Sequence, residues 1–352
     1  MIIQACRLLP YRLPFRQAWQ THRGVLRERG GWILELTTDD GRRGYGDCAP
    51  LLAAGSETAA AAQRWLTRRL PALQDQSPDE LIKGLPLPTK TPAARHALET
   101  ALLDLISQSE GLSLRRWLSP RAVDRIAVNG SAGVLEQNAA ERCGKLLEQG
   151  FTTLKLKVGL ARVTQELRWL EQLCGQLPAH ISLRLDANGA WSLAQAQEFL
   201  RNLPETVIES LEEPLAEPLP ERLAMLQGMT RTNLALDESL AGIPLEQLLE
   251  QPPVRRLVLK PTVLGGLQPS MDLARRAVKA GLEVLVTSTL ESAVGIHAAA
   301  QLAAALDPAD GPLAHGLATS DWFVEDVAHA LEINNGQLLL PDVPGLGIRM
   351  NQ

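Results

Sequence analysis

Residues 152–186 read TTLKLKVGLARVTQELRWLEQLCGQLPAHISLRLD, and this stretch decides the fold. Its ends, TTLKLKV (152–158) and ISLRLD (181–186), are short apolar runs of strand length. Between them, 161–175 reads as a helix. Strands that alternate with helices pair in parallel through crossovers. Similar apolar runs recur at 126–129 (IAVN), 207–212 (VIESLE), 233–237 (NLALD), 255–260 (RRLVLK), 283–288 (EVLVTS) and 313–317 (LAHGL). Further helical segments lie at 136–149, 192–202 and 267–280. Gly150 and Gly281 stand where helix C-terminal caps belong, and Ser192 with Gln195 fits a capping box. Eight candidate strands in about 200 residues predict a (β/α)₈ barrel better than an open sheet. No G-x-G-x-x-G follows a first strand, which weighs against a doubly wound dinucleotide fold.

The flanks read differently. Residues 31–48 (GWILELTTDDGRRGYGDC) predict two strands turning at Asp39-Asp40-Gly41, joined by residues 2–10 in a small antiparallel sheet. Helices are expected at 56–70 and 92–108, so the N-terminal part is an α+β module. The tail, with GQLLLPDVPGLGI, leaves the alternating pattern and is expected to return to that module. The expected division is 1–121, 122–323 and 324–352.

Composition excludes several roles. The 352 residues exceed what one ordinary core supports, and 45% apolar with 21% charged residues is a globular balance. A net charge of −5 offers no basic face for nucleic acid, and 4% aromatic residues leave few stacking platforms. Cys6, Cys48, Cys143 and Cys174 include no C-x-x-C pair, so neither a zinc knuckle nor a disulfide framework is expected. The start, MIIQACRLLPYRLPF, lacks the features of a signal peptide, and no apolar run reaches membrane-spanning length. The expected setting is cytoplasmic, away from membranes.

Five strands end in charges that a core strand should not carry: Lys155 and Lys157, Asp186, Glu212, Asp237 and Lys260. In a barrel of this type the functional groups lie at the C-terminal strand ends. Side chains alternate along a strand, so Lys155 and Lys157 share a direction, as do Arg184 and Asp186. Leu156, Leu183 and Leu185 then face the helices. Three unpaired carboxylates on successive strands would repel, and a divalent cation relieves this. All-oxygen ligands without nearby Cys or His suit Mg²⁺, with Mn²⁺ as a possible substitute. Lys157 and Lys260 stand on the flanking strands, and Lys155 is expected to lower the Lys157 pKa as a like charge. Two opposed lysines with a metal suit removal of a proton α to a carboxylate, through a metal-stabilised enediolate. The expected partner is a small-molecule carboxylate. Arg184 is expected inside the barrel, paired with a carboxylate such as Asp186 or Glu212, or turned toward substrate.

At these residues the sequence resembles the enolase superfamily, muconate-lactonizing subgroup. The matching segments are LKLKVG (154–159), LRLDANGAW (183–191), SLEEPL (210–215), LALDES (234–239) and VLKPTVLGG (258–266), with GYGDCAPL (44–51) and PGLG (344–347) near the ends. The steps from 157 to 186, 212, 237 and 260 are 29, 26, 25 and 23 residues, as that family leads one to expect. Within the subgroup, Arg184, TSTLES (287–292) and HGLAT (315–319) are most similar to the o-succinylbenzoate synthase family. The resemblance implies an α/β fold, an enolase-type (β/α) barrel with an N-terminal α+β capping domain completed by the tail. It implies Asp186, Glu212 and Asp237 as Mg²⁺ ligands and Lys157 and Lys260 as acid/base lysines. It further implies that Ser288 and the Gly316 backbone touch the substrate's succinyl carboxylate region, and that the Thr21–Arg27 loop covers the site. The implied reaction is the dehydration of 2-succinyl-6-hydroxy-2,4-cyclohexadiene-1-carboxylate to o-succinylbenzoate, in menaquinone and phylloquinone biosynthesis. The alternatives are an N-acylamino acid racemase or a muconate cycloisomerase. Dipeptide epimerases of the subgroup carry an Asp-x-Asp pair where this chain reads GLAT (316–319).

Overall fold

The computed structural model describes residues 1–21, 24–87, 90–204, 207–306 and 313–351. The N-terminal part is a three-stranded antiparallel sheet of β1 (Ile3–Thr21), β2 (Gly24–Thr38) and β3 (Arg43–Cys48), followed by helices α1 (Ala59–Leu73), α2 (Pro78–Lys83), α3 (Pro92–Ser109) and α4 (Leu114–Leu118). Gly41 makes the β2–β3 turn at φ 82°. The hairpin of β1 and β2 is far longer than the apolar pattern suggests. Their ladder is interrupted between Pro14 and Trp19, where four residues of β1 oppose one of β2.

Alternation explains how β3 docks. Gly44 and Gly46 turn toward α3, where a Cβ on either would strike the Ala101 or Ala97 carbonyl. Backbone can therefore lie directly on helix. Leu34, Leu36, Ala97, Leu98, Ala101 and Leu105 fill the core behind this contact.

From residue 125 the chain runs β4 (Arg125–Ala127), β5 (Gly130–Val134), α5 (Ala139–Glu148), β6 (Thr153–Lys157), α6 (Val163–Cys174), β7 (Ser182–Asp186), α7 (Leu193–Arg201), β8 (Ile208–Glu212), α8 (Pro220–Gly228) and β9 (Asn233–Leu236). It continues with α9 (Leu245–Glu250), β10 (Arg256–Leu259), α10 (Pro261–Leu264), α11 (Leu267–Lys279), β11 (Glu283–Val286), α12 (Ala293–Leu306), β12 (Ile333–Asn334) and β13 (Gln337–Leu339). Strands β5 to β11 form one parallel sheet in chain order. Residues 313–317 close it into a barrel. The Gly316 amide donates to Val286 O on one side, and the His315 amide donates to Ala127 O on the other. This segment makes single bridges with Thr287 and Val128 rather than a ladder. The expected strand 126–129 is divided: β4 pairs antiparallel with β13, and the barrel strand proper begins at Gly130.

The helix punctuation agrees with the sequence. Ser192 and Gln195 form both halves of the capping box on α7. Gly150 and Gly281 both have φ near 82°, the left-handed conformation a helix exit needs. Leu154, Leu156, Leu183, Leu185 and Leu211 are completely buried in the shell between strands and helices. Their strand neighbours consequently point inward. The tail bonds to both parts. The Val324 amide donates to Pro14 O and the Leu346 amide donates to Asp104 on α3 at 2.8 Å, while on the barrel side the Val128 amide donates to Gly336 O at 2.9 Å. Among the described residues no helix is long and apolar enough to cross a membrane.

Candidate active site

The C-terminal ends of the barrel strands surround a cavity of about 190 Å³ roofed by the N-terminal hairpin. Lys155, Lys157, Arg184, Asp186, Glu212, Asp237, Lys260, Ser288 and Gly316 all line it, so every residue singled out in the sequence meets in one place. The reason is register. Lys157 is paired with Asp186 across β6–β7, and Asp186 with Glu212 across β7–β8, which puts their side chains on one level. Asp237 and Lys260 follow immediately after β9 and β10.

Charge is concentrated here. The Asp186, Glu212 and Asp237 side chains are no more than 7% exposed. The Lys155 ammonium donates to both Glu212 oxygens at 2.7 and 2.8 Å and lies 2.9 Å from Asp186. The Lys260 ammonium donates to Asp237 at 2.5 Å and lies 3.5 Å from Glu238. Among the described residues the Lys157 ammonium donates only to Asn188 Oδ1, at 2.8 Å, and it stands 5.2 Å from the centre of the Trp19 ring.

These surroundings separate the three lysines. Burial is the main influence on Lys157 and lowers its pKa; Asp186 opposes this and Lys155 adds to it. Lys155 thus lowers Lys157 as a like charge, as expected, but desolvation is the larger cause. Burial also acts against the charged forms of Lys155 and Lys260. Their carboxylate neighbours outweigh it, and both are held well above the usual lysine range.

The carboxylates show what the site lacks. Burial pushes Glu212 up to about 8, against Lys155 and with help from Asp186 and Asp237. Burial likewise raises Asp237 to about 6, against Lys260. Asp186 is lowered, because Lys155 and Lys157 together outweigh its burial. A cluster in which two carboxylates resist ionisation is short of positive charge, and its donors are all hard oxygens. A divalent cation of the Mg²⁺ class fits that need. No three His, Cys, Asp or Glu side chains among the described residues are already disposed around a single point for a metal. Lys155 stands between Asp186 and Glu212, so binding requires this ammonium to yield part of its contacts.

Four further residues shape the site without having been read from the sequence. Asn188 (φ 44°) orients Lys157, and its amide donates to Asp186 at 3.0 Å. Glu213 (φ 45°) accepts from the Asp237 amide at 2.6 Å and the Ser239 hydroxyl at 2.7 Å. Such left-handed non-glycine residues cost energy and gather at functional sites. The Asn-Gly pair at 188–189 was the available signal for the first. Trp19, from β1, packs against Trp322 with ring centres 4.4 Å apart and planes tilted by 32°, and both line the cavity. Nothing local in the sequence brings these two together.

Glu209 corrects the reading of Arg184. The β7–β8 register slips between Leu183–Ile208 and Arg184–Ser210, leaving Glu209 unopposed. Its carboxylate accepts from Arg184 at 2.9 Å and lies 2.6 Å from Arg256. Arg184 also donates to Ala314 O. It therefore pairs beneath the site with Glu209, and not with Asp186 or Glu212.

Two other expectations change. The Gly316 amide is already bonded to Val286 O, and its carbonyl accepts from Ser288 N and the Thr287 hydroxyl, so Gly316 offers the cavity bare Cα and no free donor. Of the expected Thr21–Arg27 loop, the described residues are strand: Thr21 ends β1 and Gly24–Arg27 belong to β2, while His22 and Arg23 lie outside the described residues. Its Leu26 does reach the cavity.

The chain matches the family described as Enolase C-terminal domain-like over residues 138–352, and the one described as MenC, N-terminal domain, over 3–104. It is 32% identical over 255 residues to an o-succinylbenzoate synthase of Desulfotalea psychrophila, covering 70% of this chain and 67% of that protein. It is 30% identical over 358 residues to an L-Lys-D/L-Arg epimerase of Methylococcus capsulatus, covering 96% of this chain and 94% of that one. The crystal structure of a dipeptide epimerase from Methylococcus capsulatus, complexed with Mg and the dipeptide L-Arg-D-Lys, superposes with a TM-score of 0.89 at 27% identity, covering 99% of both chains.

Proposed function

The chain belongs to the enolase superfamily, and from that premise we propose that it is a cytosolic, Mg²⁺-dependent carbon–oxygen lyase. It converts 2-succinyl-6-hydroxy-2,4-cyclohexadiene-1-carboxylate to o-succinylbenzoate in menaquinone or phylloquinone biosynthesis. The observation that carries this is the lysine geometry: Lys157 and Lys260 border one cavity from β6 and the end of β10, with the strands of three buried carboxylates between them. In this reading residues 1–121 are the cap, 122–323 the catalytic barrel, and 324–352 the returning tail.

Asp186, Glu212 and Asp237 would hold the Mg²⁺ (Mn²⁺ as a substitute), which supplies Lewis-acid charge to the substrate carboxylate. The rest is done by the chain's own groups. Burial favours the neutral amine of Lys157, and Asn188 Oδ1 orients it. Lys157 removes the proton α to the carboxylate. The electron pair moves into the ring and expels the hydroxyl, to which Lys157 returns the proton, so that water leaves. Lys260 stays an ammonium beside Asp237 and adds positive charge on the opposite face. Aromatisation drives the step, leaving positioning and charge stabilisation as the main demands. Ser288, its hydroxyl 3.1 Å from that of Thr319, receives the succinyl carboxylate end.

A racemase or epimerase is the second reading, favoured by the relative of that activity at 30% identity. The same lysines could exchange a proton at one carbon from two faces. The neutral GLAT segment (316–319), with no acid to hold a peptide ammonium, supports the lyase instead. Proton NMR in D₂O tests the choice. The lyase yields aromatic product from the cyclohexadiene substrate. Deuterium incorporated at the α-carbon of an N-acylamino acid or dipeptide, with no aromatic product from the cyclohexadiene, overturns it.

Arg184→Met should leave Mg²⁺ affinity unchanged within about twofold, because Arg184 touches Glu209 rather than the three carboxylates. Stability should fall by about 1–3 kcal/mol, since Glu209 keeps Arg256 as a partner. Calorimetric titration and urea unfolding read the two effects. A large loss of metal affinity would return Arg184 to the metal carboxylates.

A further inference from the structure

Arg29 is a buried cation that the mechanism does not use. It lies on β2, 4% exposed, three residues beyond the cavity-lining Leu26. Every hydrogen bond it makes among the described residues goes to a backbone carbonyl: Nε donates to Leu290 at 3.0 Å, Nη2 to Ala49 at 2.9 Å and Nη1 to Pro50 at 3.1 Å. Holding a guanidinium out of water on carbonyls alone is costly, and a hydrocarbon would fill the space more cheaply. What the fork provides is geometry, three donors fixed in one plane.

Its partners lie in different parts of the molecule. Ala49 and Pro50 lead into the loop whose Leu51, Ala53 and Ala54 line the cavity. Leu290 belongs to the barrel loop after β11, whose Ser288, Thr289 and Leu290 line it from the other side. Leu290 is held at φ 63°, an uncommon conformation for a bulky residue, so the loop needs outside restraint. A second anchor stands beside the first. Asp47 on β3, completely buried, accepts from the Ser292 amide at 2.9 Å and hydroxyl at 2.7 Å, and from Tyr11 at 2.7 Å. Within the loop, Glu291 accepts from the Thr289 amide and from Thr262, both at 2.6 Å. The barrel loop is thus stitched to the N-terminal sheet at 290 and at 292.

We propose that Arg29 is a positioning residue for substrate binding, clamping loops 49–54 and 288–292 into one rigid wall that fixes where the substrate's distal carboxylate sits. This rests on the reading above, in which Ser288 receives that carboxylate. The wall is remote from the proton abstracted by Lys157, so the clamp acts on binding and leaves the chemical step alone.

The experiment uses the full-length protein with Mg²⁺ and the variants Arg29→Met and Arg29→Lys. Arg29→Met should raise KM at least about tenfold with kcat within about threefold, a split that general destabilisation would not produce. Amide hydrogen exchange should speed up at least about tenfold in 49–54 and 288–292, with β7 and β8 unchanged. Arg29→Lys, which keeps the charge and loses the fork, should fall between, and it decides the same readouts if the methionine variant does not fold. Unchanged exchange in 288–292 overturns the clamp, as does a fall in kcat at constant KM. A wild-type protein inactive on the cyclohexadiene substrate would sink the lyase reading, while the exchange measurement still decides the clamp.

Discussion

Lys157→Ala should abolish turnover, with a loss of about 10⁴-fold, or roughly 5 kcal/mol of barrier, at the upper end of what a general base supplies. The expectation follows from its environment. Lys155 and Lys260 are tied to carboxylates and held as ammonium ions, which cannot accept a proton. Lys157 alone of the three is lowered, with an amide oxygen as its hydrogen-bond partner. The sign of the pH dependence follows. The base must be neutral, so the rate should rise with pH through a midpoint below the ordinary lysine value. Lys155→Ala should leave a slower enzyme whose midpoint moves upward, because a like charge is gone. The shift should be small, since burial lowers Lys157 more than Lys155 does. Pre-steady-state rates across pH measure both. Substantial turnover by the Lys157→Ala protein would remove the proposed base, and a large shift in the Lys155→Ala profile would restore like charge as its main tuner.

Chelation should remove activity as completely, and Asp237→Asn should weaken Mg²⁺ binding at least about tenfold, or 1.4 kcal/mol. Glu212 and Asp237 resist ionisation in the protein alone, so the cluster gains most from an added cation. The asparagine keeps the shape of Asp237 and removes a charge that burial already disfavours. The asparagine Oδ1 can still accept from the Lys260 ammonium, so the fold should be retained without metal, with some loss of thermal stability from the weakened pair. Isothermal titration with Mg²⁺ reads affinity independently of turnover, and differential scanning calorimetry reads the fold. Full activity after exhaustive EDTA treatment would end the metal-dependent mechanism. An unchanged affinity in the Asp237→Asn protein would remove that residue from the ligand set.

Much of the site is legible from the chain because strand periodicity is local physics. Alternation sends Lys155, Lys157, Arg184 and Asp186 inward and Leu156, Leu183 and Leu185 outward, and the parallel repeat brings successive strand ends to one face. The punctuation was equally local: Ser192 with Gln195, Gly150 and Gly281 behave as short-range hydrogen bonding and left-handed backbone require. The partners of the charged groups were not legible. Arg184 meets Glu209 because one extra residue slips the β7–β8 register, and a bulge leaves no periodic trace. The barrel closes through single bridges at His315 and Gly316, too short to set a pattern. Trp19 meets Trp322, and Arg29 meets Leu290, across hundreds of residues. The low pKa of Lys157 arises mainly from burial, which depends on what folds over it. Sequence alone determined which residues face the barrel mouth, since that depends on neighbours along the chain. Tertiary structure decided which of them are paired, which are dry and which loops they hold, because desolvation and long-range contact exist only once the chain has closed on itself.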